Sequence, residues 1–224
     1  IRRAAYDCVQ DSIARHHDVE LICGRKVLRI HQTEQGMQAE LDDGSQLHCR
    51  LLIAADSRFS SVRRAVGVAA DMHDFGRSML VFMMTHVVPH EHIAWEWFGY
   101  GQTLALLPMH NDPESGLPRS SVVLTLPSHA IDQLAEMPPD AFAQEMTRRF
   151  ANRLGDMQLV STRHTYPLVG VYPRRLIAPR FACVGDAAVG MHPITAHGFN
   201  FGLLSVHTLG QLILQAHAQG QDIA

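Results

Sequence analysis

The sequence predicts an α/β protein in which a mainly antiparallel β-sheet region is inserted into an α/β region. Two continuously apolar segments, residues 51–55 and 181–184, run towards Asp56 and Asp186, as strands covered on both faces of a parallel sheet do. Between them, residues 78–126 hold successive strand candidates separated by turn residues, which favours an antiparallel sheet. We therefore predict an α/β domain from residues 1–74 and 173–224, and an inserted sheet domain from residues 75–172.

The first region begins with a helix and continues with short β segments. Tyr6, Val9 and Ile13 follow one another at helical spacing, so they predict one apolar helix face. Asp43-Gly44 lies between two alternating segments and predicts a β-hairpin. No capping residue precedes the first helix and the first residue is not methionine, so we expect the chain to be part of a longer protein.

Helices are predicted in both regions. Residues 128–136 and 139–153 form two candidates, and the second places Phe142, Met146 and Phe150 on one face. A last helix is predicted at about residues 198–218.

Composition excludes several classes of protein. The chain has 224 residues, 46% hydrophobic and 18% charged, with a formal net charge of −3, so it offers no basic surface for nucleic acid. No apolar run reaches the roughly 18–20 residues of a membrane span. The four cysteines are widely spaced, which favours a reducing compartment. We expect a cytoplasmic protein, and peripheral association with the inner membrane or with a biosynthetic complex is left open.

The two acidic strand ends are the candidate binding site. Ligands of open α/β sheets bind beyond the carboxyl ends of the strands. An ionised carboxylate only accepts hydrogen bonds, so Asp186 at such an end suits the hydroxyls of a sugar-like group. The small residues that follow let backbone amides approach a ligand. The alternative is that Asp186 only caps a turn or helix, as aspartate often does.

Two motifs carry a resemblance to a known family. Residues 55–64, ADSRFSSVRR, resemble the second fingerprint of the aromatic-ring hydroxylase flavoproteins, with matches at Asp56, Ser60, Val62 and Arg63. Residues 185–203 resemble their third fingerprint, with matches at Gly185, Asp186, Ala187, Ala188, Pro193, Gly198 and Asn200. This is the group of para-hydroxybenzoate hydroxylase, and the motifs are most similar to its ubiquinone-biosynthesis branch. The family's N-terminal strand–GxGxxG–helix unit is not found in the sequence.

The resemblance implies a fold and a set of cofactor contacts. The α/β part would be a portion of a glutathione-reductase-like FAD-binding domain, and the inserted sheet would bind the substrate. Asp186 would hold the ribitol of FAD, and Asp56 would lie in a region linked to both FAD and NAD(P)H. The implied cofactor-binding residues are Arg3, Asp56, Arg63, Gly185, Asp186, Pro193, Thr195, Ala196, Gly198, Phe199 and Asn200. His197 is the candidate catalytic residue because it could deprotonate a phenol near neutral pH, although packing is an equal alternative.

The implied function is flavin-dependent hydroxylation of a polyprenylated phenol in ubiquinone biosynthesis, with NAD(P)H and O2 as co-substrates. Because the GxGxxG unit is missing, we expect the 224-residue chain by itself to be inactive. A hydroxylase of a free aromatic acid, or a flavin-dependent reductase, remains an alternative with the same fold. A non-catalytic fragment or scaffold subunit of a biosynthetic complex is an alternative of another class.

Two further patterns have simpler interpretations. His86, His90 and His92 lack the spacing of a metal motif, so we expect a solvated strand end and no metal site. Trp95 and Trp97 share one face of a strand. With Met83, Met84 and Leu106 they would line an apolar substrate pocket or form sheet core.

Overall fold

The computed structural model describes residues 2–16, 18–193 and 197–224, with side chains of the first helix described from Asp7 onwards. The chain forms two compact units. The first unit comprises Ile1–Asp71, Tyr172–Gly190 and Ala196–Ala224, and the second comprises Met72–Val171 and Met191–Thr195.

The first unit begins with a helix and a three-stranded antiparallel sheet. These elements are α1 (Arg2–Arg15), β1 (Val27–Gln32), β2 (Met37–Leu41) and β3 (Gln46–Cys49). The predicted hairpin is confirmed: β2 pairs with β3, and Gly44 has a φ of +83° in the turn. The Asp43 carboxylate accepts hydrogen bonds from the amide and hydroxyl of Ser45, which stabilises this turn.

A second small sheet carries the two acidic strand ends. It contains β4 (Leu52–Ala54), β11 (Ile177–Ala178) and β12 (Phe181–Cys183), and β4 runs parallel to β12. All three β12 residues are buried, as expected for a strand covered on both faces. The same expectation for β4 is wrong, because Ile53 is 43% exposed. Helix α2 (Ser61–Ala65) and a short 3₁₀ turn (Gly185–Ala187) follow these strands.

The first and last helices of this unit expose apolar residues. Val9 of α1 is 57% exposed, so the apolar face predicted for this helix is not buried among the described residues. Helix α5 (Gly198–Ala218) has the predicted bounds, and none of its side chains is buried. Within the described part of the chain, no helix is both long enough and apolar enough to cross a bilayer.

The second unit is built on an antiparallel sheet covered by two helices. The sheet order is β10-β5-β8-β7-β6, and β9 also pairs with β5. The strands are β5 (Ala70–His86), β6 (Trp95–Gly99), β7 (Gln102–Pro108), β8 (Arg119–Pro127), β9 (Met157–Leu159) and β10 (His164–Pro173). The helices are α3 (Ser128–Glu136) and α4 (Pro139–Arg149). The predicted sheet is therefore confirmed.

Helix α4 ends four residues earlier than predicted. Its start carries Pro139 at a position where a missing amide proton costs nothing, and its last turn carries basic residues that favour the helix dipole. The chain then turns at Ala151 and Asn152, both of which have positive φ, so the helix cannot continue to residue 153. Phe142, Met146 and Phe150 are nevertheless all buried, as the helical spacing predicts.

The two faces of the large sheet differ. Residues on one face pack with α3 and α4 into the main core: Leu80, Phe82, Met84, Leu104, Leu106, Val122, Leu124 and Leu126. The β pairing places other residues on the opposite face: Met79, Val81, Met83, Thr103, Ala105, Val123 and Thr125. The predicted pocket group is therefore divided, because Met84 and Leu106 are fully buried core whereas Met83 lies on the other face. Trp95 and Trp97 share the helix-covered face, as strand alternation predicts.

Candidate functional site at the acidic strand ends

The parallel pairing of β4 and β12 brings the turns after these strands together. The amide of Val184 donates to the carbonyl of Ala54 at 2.9 Å, at the point where both strands end. Beyond this point the two turns contain Asp56 and Asp186, the residues that the sequence marks as candidate ligand contacts.

Asp56 is used to begin helix α2. Its carboxylate accepts a hydrogen bond from the amide of Ser61 at 3.0 Å, and the Ser60 hydroxyl accepts one from the amide of Arg63 at 2.9 Å. Partial burial raises the pKa of Asp56, but hydrogen bonds from Ser60 and from nearby amides outweigh it, so the pKa lies below its usual value. Ser60 is the N-cap residue of α2, and Asp56 accepts one further amide at the start of the same helix.

Arg63 is buried, and its side chain connects the two turns. Only 2% of the residue is exposed, and its Nη1 donates to the carbonyls of Arg58 and Ala187, both at 3.1 Å. The Nε atom has no hydrogen-bond partner among the described residues. Because its two donor contacts go to backbone in different turns, Arg63 fixes the position of one turn against the other.

Asp186 keeps its carboxylate accessible. Its side chain is 46% exposed, and one oxygen is 3.2 Å from Nη2 of Arg58. The preceding Gly185 has a φ of +60°, and its amide donates to the Ser205 hydroxyl of α5 at 3.0 Å. A Cβ on Gly202 would lie 3.5 Å from the Cα of Gly185, which is ordinary van der Waals contact, so α5 packs directly against this turn.

The start of α5 provides backbone amides that have no acceptor within the helix. Gly198, Phe199 and Asn200 form its first turn, and Phe199 is 76% exposed. His197 occupies the N-cap position without a side-chain capping bond, and its ring is 6.1 Å from that of Phe201. The N-terminus of such a helix favours a negatively charged group.

The other predicted site residues are either exposed or lie outside the described residues. Pro193 is exposed. Thr195, Ala196 and the side chain of Arg3 lie outside the described residues. The sequence did not predict the contact of Arg58 with Asp186 or that of Ser205 with Gly185. Arg58 occupies a variable position of its motif, and Ser205 is distant from Gly185 along the chain, so neither gives a local signal.

The donor and acceptor groups of this site fit FAD. A half-exposed carboxylate can accept from ribitol hydroxyls, and an ideal Cβ placed on Gly185 or Gly198 meets no described atom within 4 Å, so a ligand has room at both. The exposed helix start can face the electron-rich edge of a flavin ring. These residues can therefore bind a cofactor that carries several hydroxyl groups and a ring that takes negative charge.

The histidine segment of the second unit is not the solvated strand end that we expected. His86 is 1% exposed and His90 is 5% exposed. The carbonyl of Val88 accepts from Nδ1 of His86 at 2.8 Å, which leaves Nε2 to accept from the hydroxyl of Ser120 at 2.9 Å. Burial lowers the pKa of His86 more than the Val88 carbonyl raises it, and His90 lowers it further. Among the described residues, no group of three metal-ligand side chains is placed to hold an ion.

Comparison with curated proteins finds similar sequences among quinone hydroxylases. The chain is 43% identical to the ubiquinone hydroxylase UbiM of Neisseria meningitidis over 223 residues, covering 100% of this chain and 46% of that protein. It is 33% identical to the ubiquinone hydroxylase UbiL of Rhodospirillum rubrum, covering 90% of this chain and 46% of that protein. The chain thus spans about half the length of these relatives, and the resemblance to the ubiquinone branch is confirmed.

Comparison with solved structures confirms the fold. The probable FAD-dependent monooxygenase PqsL of Pseudomonas aeruginosa superimposes with a TM-score of 0.77 at 20% identity, covering 97% of this chain and 60% of that one. The flavin-dependent brominase Bmp2 gives a TM-score of 0.72 at 16% identity, covering 99% of this chain and 57% of that one.

The match to a protein family covers almost the whole chain. The family model described as an FAD binding domain matches residues 9–222, which include both acidic strand ends and the whole inserted sheet. The chain therefore belongs to the FAD-binding-domain family.

Proposed function

We propose that the protein is a flavin-dependent monooxygenase that hydroxylates the aromatic ring of a polyprenylated phenol in ubiquinone biosynthesis, using NAD(P)H and O2. The observation that carries this proposal is the accessible Asp186 carboxylate at the end of β12, in a chain 43% identical to a ubiquinone hydroxylase. Bound FAD would supply the oxygen-transfer chemistry, and the protein would supply binding and orientation.

The first unit is assigned to the cofactor. Asp186 accepts hydrogen bonds from the ribitol hydroxyls, with Arg58 orienting its carboxylate. The amides of Gly198, Phe199 and Asn200 would stabilise negative charge on the flavin ring of bound FAD. Gly185 leaves room beside this turn, and Pro193, Thr195 and Ala196 remain candidate contacts for the ring of FAD.

Arg63 and Asp56 act through the protein backbone in this proposal. Arg63 connects the two turns and Asp56 begins α2, so both position the residues that touch FAD. Arg3 remains a candidate contact for the FAD phosphates. His197 remains the candidate base for the phenol, because its side chain is exposed at the start of α5.

The second unit is assigned to the substrate. We propose that the ring and its apolar chain contact the sheet face opposite to α3 and α4, where Met79, Val81, Met83, Ala105 and Val123 lie. These side chains are half-buried and apolar, so they suit a prenylated phenol better than a charged free acid.

The experiment uses the protein in its natural full length, since the 224-residue chain by itself is expected to be inactive, and measures NAD(P)H oxidation, O2 uptake and product mass with FAD supplied. A prenylated phenol should stimulate oxidation more than 4-hydroxybenzoate does, and the product should gain one oxygen atom. A product that gains two hydrogens would support the reductase alternative, and the reverse order of substrates would support the free-acid alternative. If purified protein with bound FAD turns over neither substrate, the scaffold alternative is supported instead.

The expected location follows from the substrate. We propose a cytoplasmic protein that associates peripherally with the inner membrane or with a biosynthetic complex, because a polyprenylated phenol resides in the bilayer. Co-sedimentation with anionic lipid vesicles tests the membrane part. Recovery of all protein in the supernatant at low salt would contradict it.

A further inference from the structure

A cavity lies at the edge of the large sheet, with Trp95, Trp97 and Arg153 on the helix-covered face. Its volume is about 410 Å³, and it is lined by Ala94, Trp95, Glu96, Trp97 and Arg153. This volume lies within the roughly 300–1,000 Å³ of small-molecule sites. Strand β6, which supplies both tryptophans, is the last strand of the sheet order, so the cavity opens beside a free strand edge.

The indole rings give this cavity an apolar floor. Trp95 and Trp97 are both half-buried and pack against the main core. The ring of Trp97 meets that of Phe150 edge to face, with centroids 6.5 Å apart. The floor is therefore anchored from behind, and it differs from the proposed substrate face, which is the other side of the sheet.

Arg153 adds a positive charge to the rim. The carbon of its guanidinium lies 4.3 Å from the centroid of the Trp97 ring, which is a cation–π contact. The nearby Arg148 and Arg149 both pair with Glu145. Glu96 also lines the cavity, but among the described residues no carboxylate, Glu96 included, lies within ion-pair distance of Arg153, so the charge of Arg153 remains available to a ligand.

We propose that this cavity binds an amphipathic carboxylate: an anionic headgroup that pairs with Arg153 and an apolar body that lies on the two indoles. A planar guanidinium held over an aromatic ring presents its donors in a fixed plane, which matches the two oxygens of a carboxylate. The site does not depend on the proposed hydroxylation, because its binding groups are Arg153 and the two indoles, which lie outside the cofactor region and on the helix-covered face.

Intrinsic fluorescence tests this site directly, because the sequence contains only two tryptophans and both line the cavity. Titration of the chain with decanoate should change the tryptophan emission in a saturable way. Decanol, which has the same apolar body without the charge, should bind about tenfold more weakly, a difference of about 1.4 kcal/mol.

Variants assign the headgroup contact. Arg153→Gln should weaken decanoate binding about tenfold, and Arg153→Lys should recover part of it, since lysine keeps the charge and loses the planar donors. The matched control is Arg148→Gln, which removes an exposed arginine that already has a carboxylate partner and should leave the affinity unchanged. Circular dichroism confirms that each variant is folded. Equal affinity for decanoate and decanol, or unchanged decanoate affinity in Arg153→Gln, would overturn the proposal.

Discussion

Replacement of Arg63 by methionine should loosen both turns of the proposed cofactor site. Arg63 makes two hydrogen bonds to backbone carbonyls, each worth about 1.5–3 kcal/mol because the donor is charged, or about 3–6 kcal/mol together. The buried Nε has no hydrogen-bond partner in the part of the chain that the structure describes, so losing the guanidinium returns roughly 1–3 kcal/mol. At the midpoints of these two ranges the net loss of local stability is about 2.5 kcal/mol, which corresponds to a roughly 60-fold increase in local opening.

Native-state hydrogen exchange measures this opening at the affected amides. Peptides covering residues 57–61 and 184–189 should exchange faster in Arg63→Met, whereas peptides from β8 should not change. The matched control is Arg64→Met, since Arg64 is the next residue of the same helix and is exposed. If the two variants exchange at the same rate in both peptides, Arg63 does not connect the turns and the reasoning is refuted.

Two further predictions concern titratable side chains. The folded-state pKa of His86 lies below its unfolded value of about 6.5, so its contribution to stability is complete above that pH and is lost as the pH falls through the folded pKa. Urea unfolding at a series of pH values should therefore show a smaller acid-side loss in His86→Gln than in the exposed control His31→Gln; identical profiles would contradict this. Burial raises the pKa of Cys183 to about 11, with Arg63 opposing and Asp56 adding to the shift, so iodoacetamide should label Cys8 and leave Cys183 unmodified. Equal labelling of both thiols, measured by mass spectrometry, would contradict the burial of Cys183.

The features that were predictable from the sequence are those with a local signal. Helix α5 has the expected bounds, and the Asp43-Gly44 hairpin has the turn residues that its geometry requires. The acidic ends of β4 and β12 were recognisable because each follows an apolar run, and their parallel pairing places the two turns together.

The features that were not predictable depend on partners far along the chain. In the sequence, His86 is a polar residue near a strand end, which predicts exposure. Its burial is explained by the contact with Ser120 on β8. Arg63 matches a motif implied to touch the cofactor, yet its donors reach backbone carbonyls 5 and 124 residues away. The early end of α4 arises from the positive φ of Ala151, for which alanine gives no sequence signal.

The affinity for FAD of the Asp186→Ala variant tests the central claim most directly. Removing the carboxylate leaves the ribitol hydroxyls without an acceptor, so FAD binding should weaken by about 1–3 kcal/mol, or roughly 5- to 140-fold. The Kd is measured by quenching of FAD fluorescence, with Asp71→Ala as the control because Asp71 also forms an exposed ion pair, with Arg174. We expect a weaker Kd for Asp186→Ala and an unchanged Kd for Asp71→Ala. Equal Kd values for wild type and Asp186→Ala would contradict the assignment of the cofactor to the acidic end of β12.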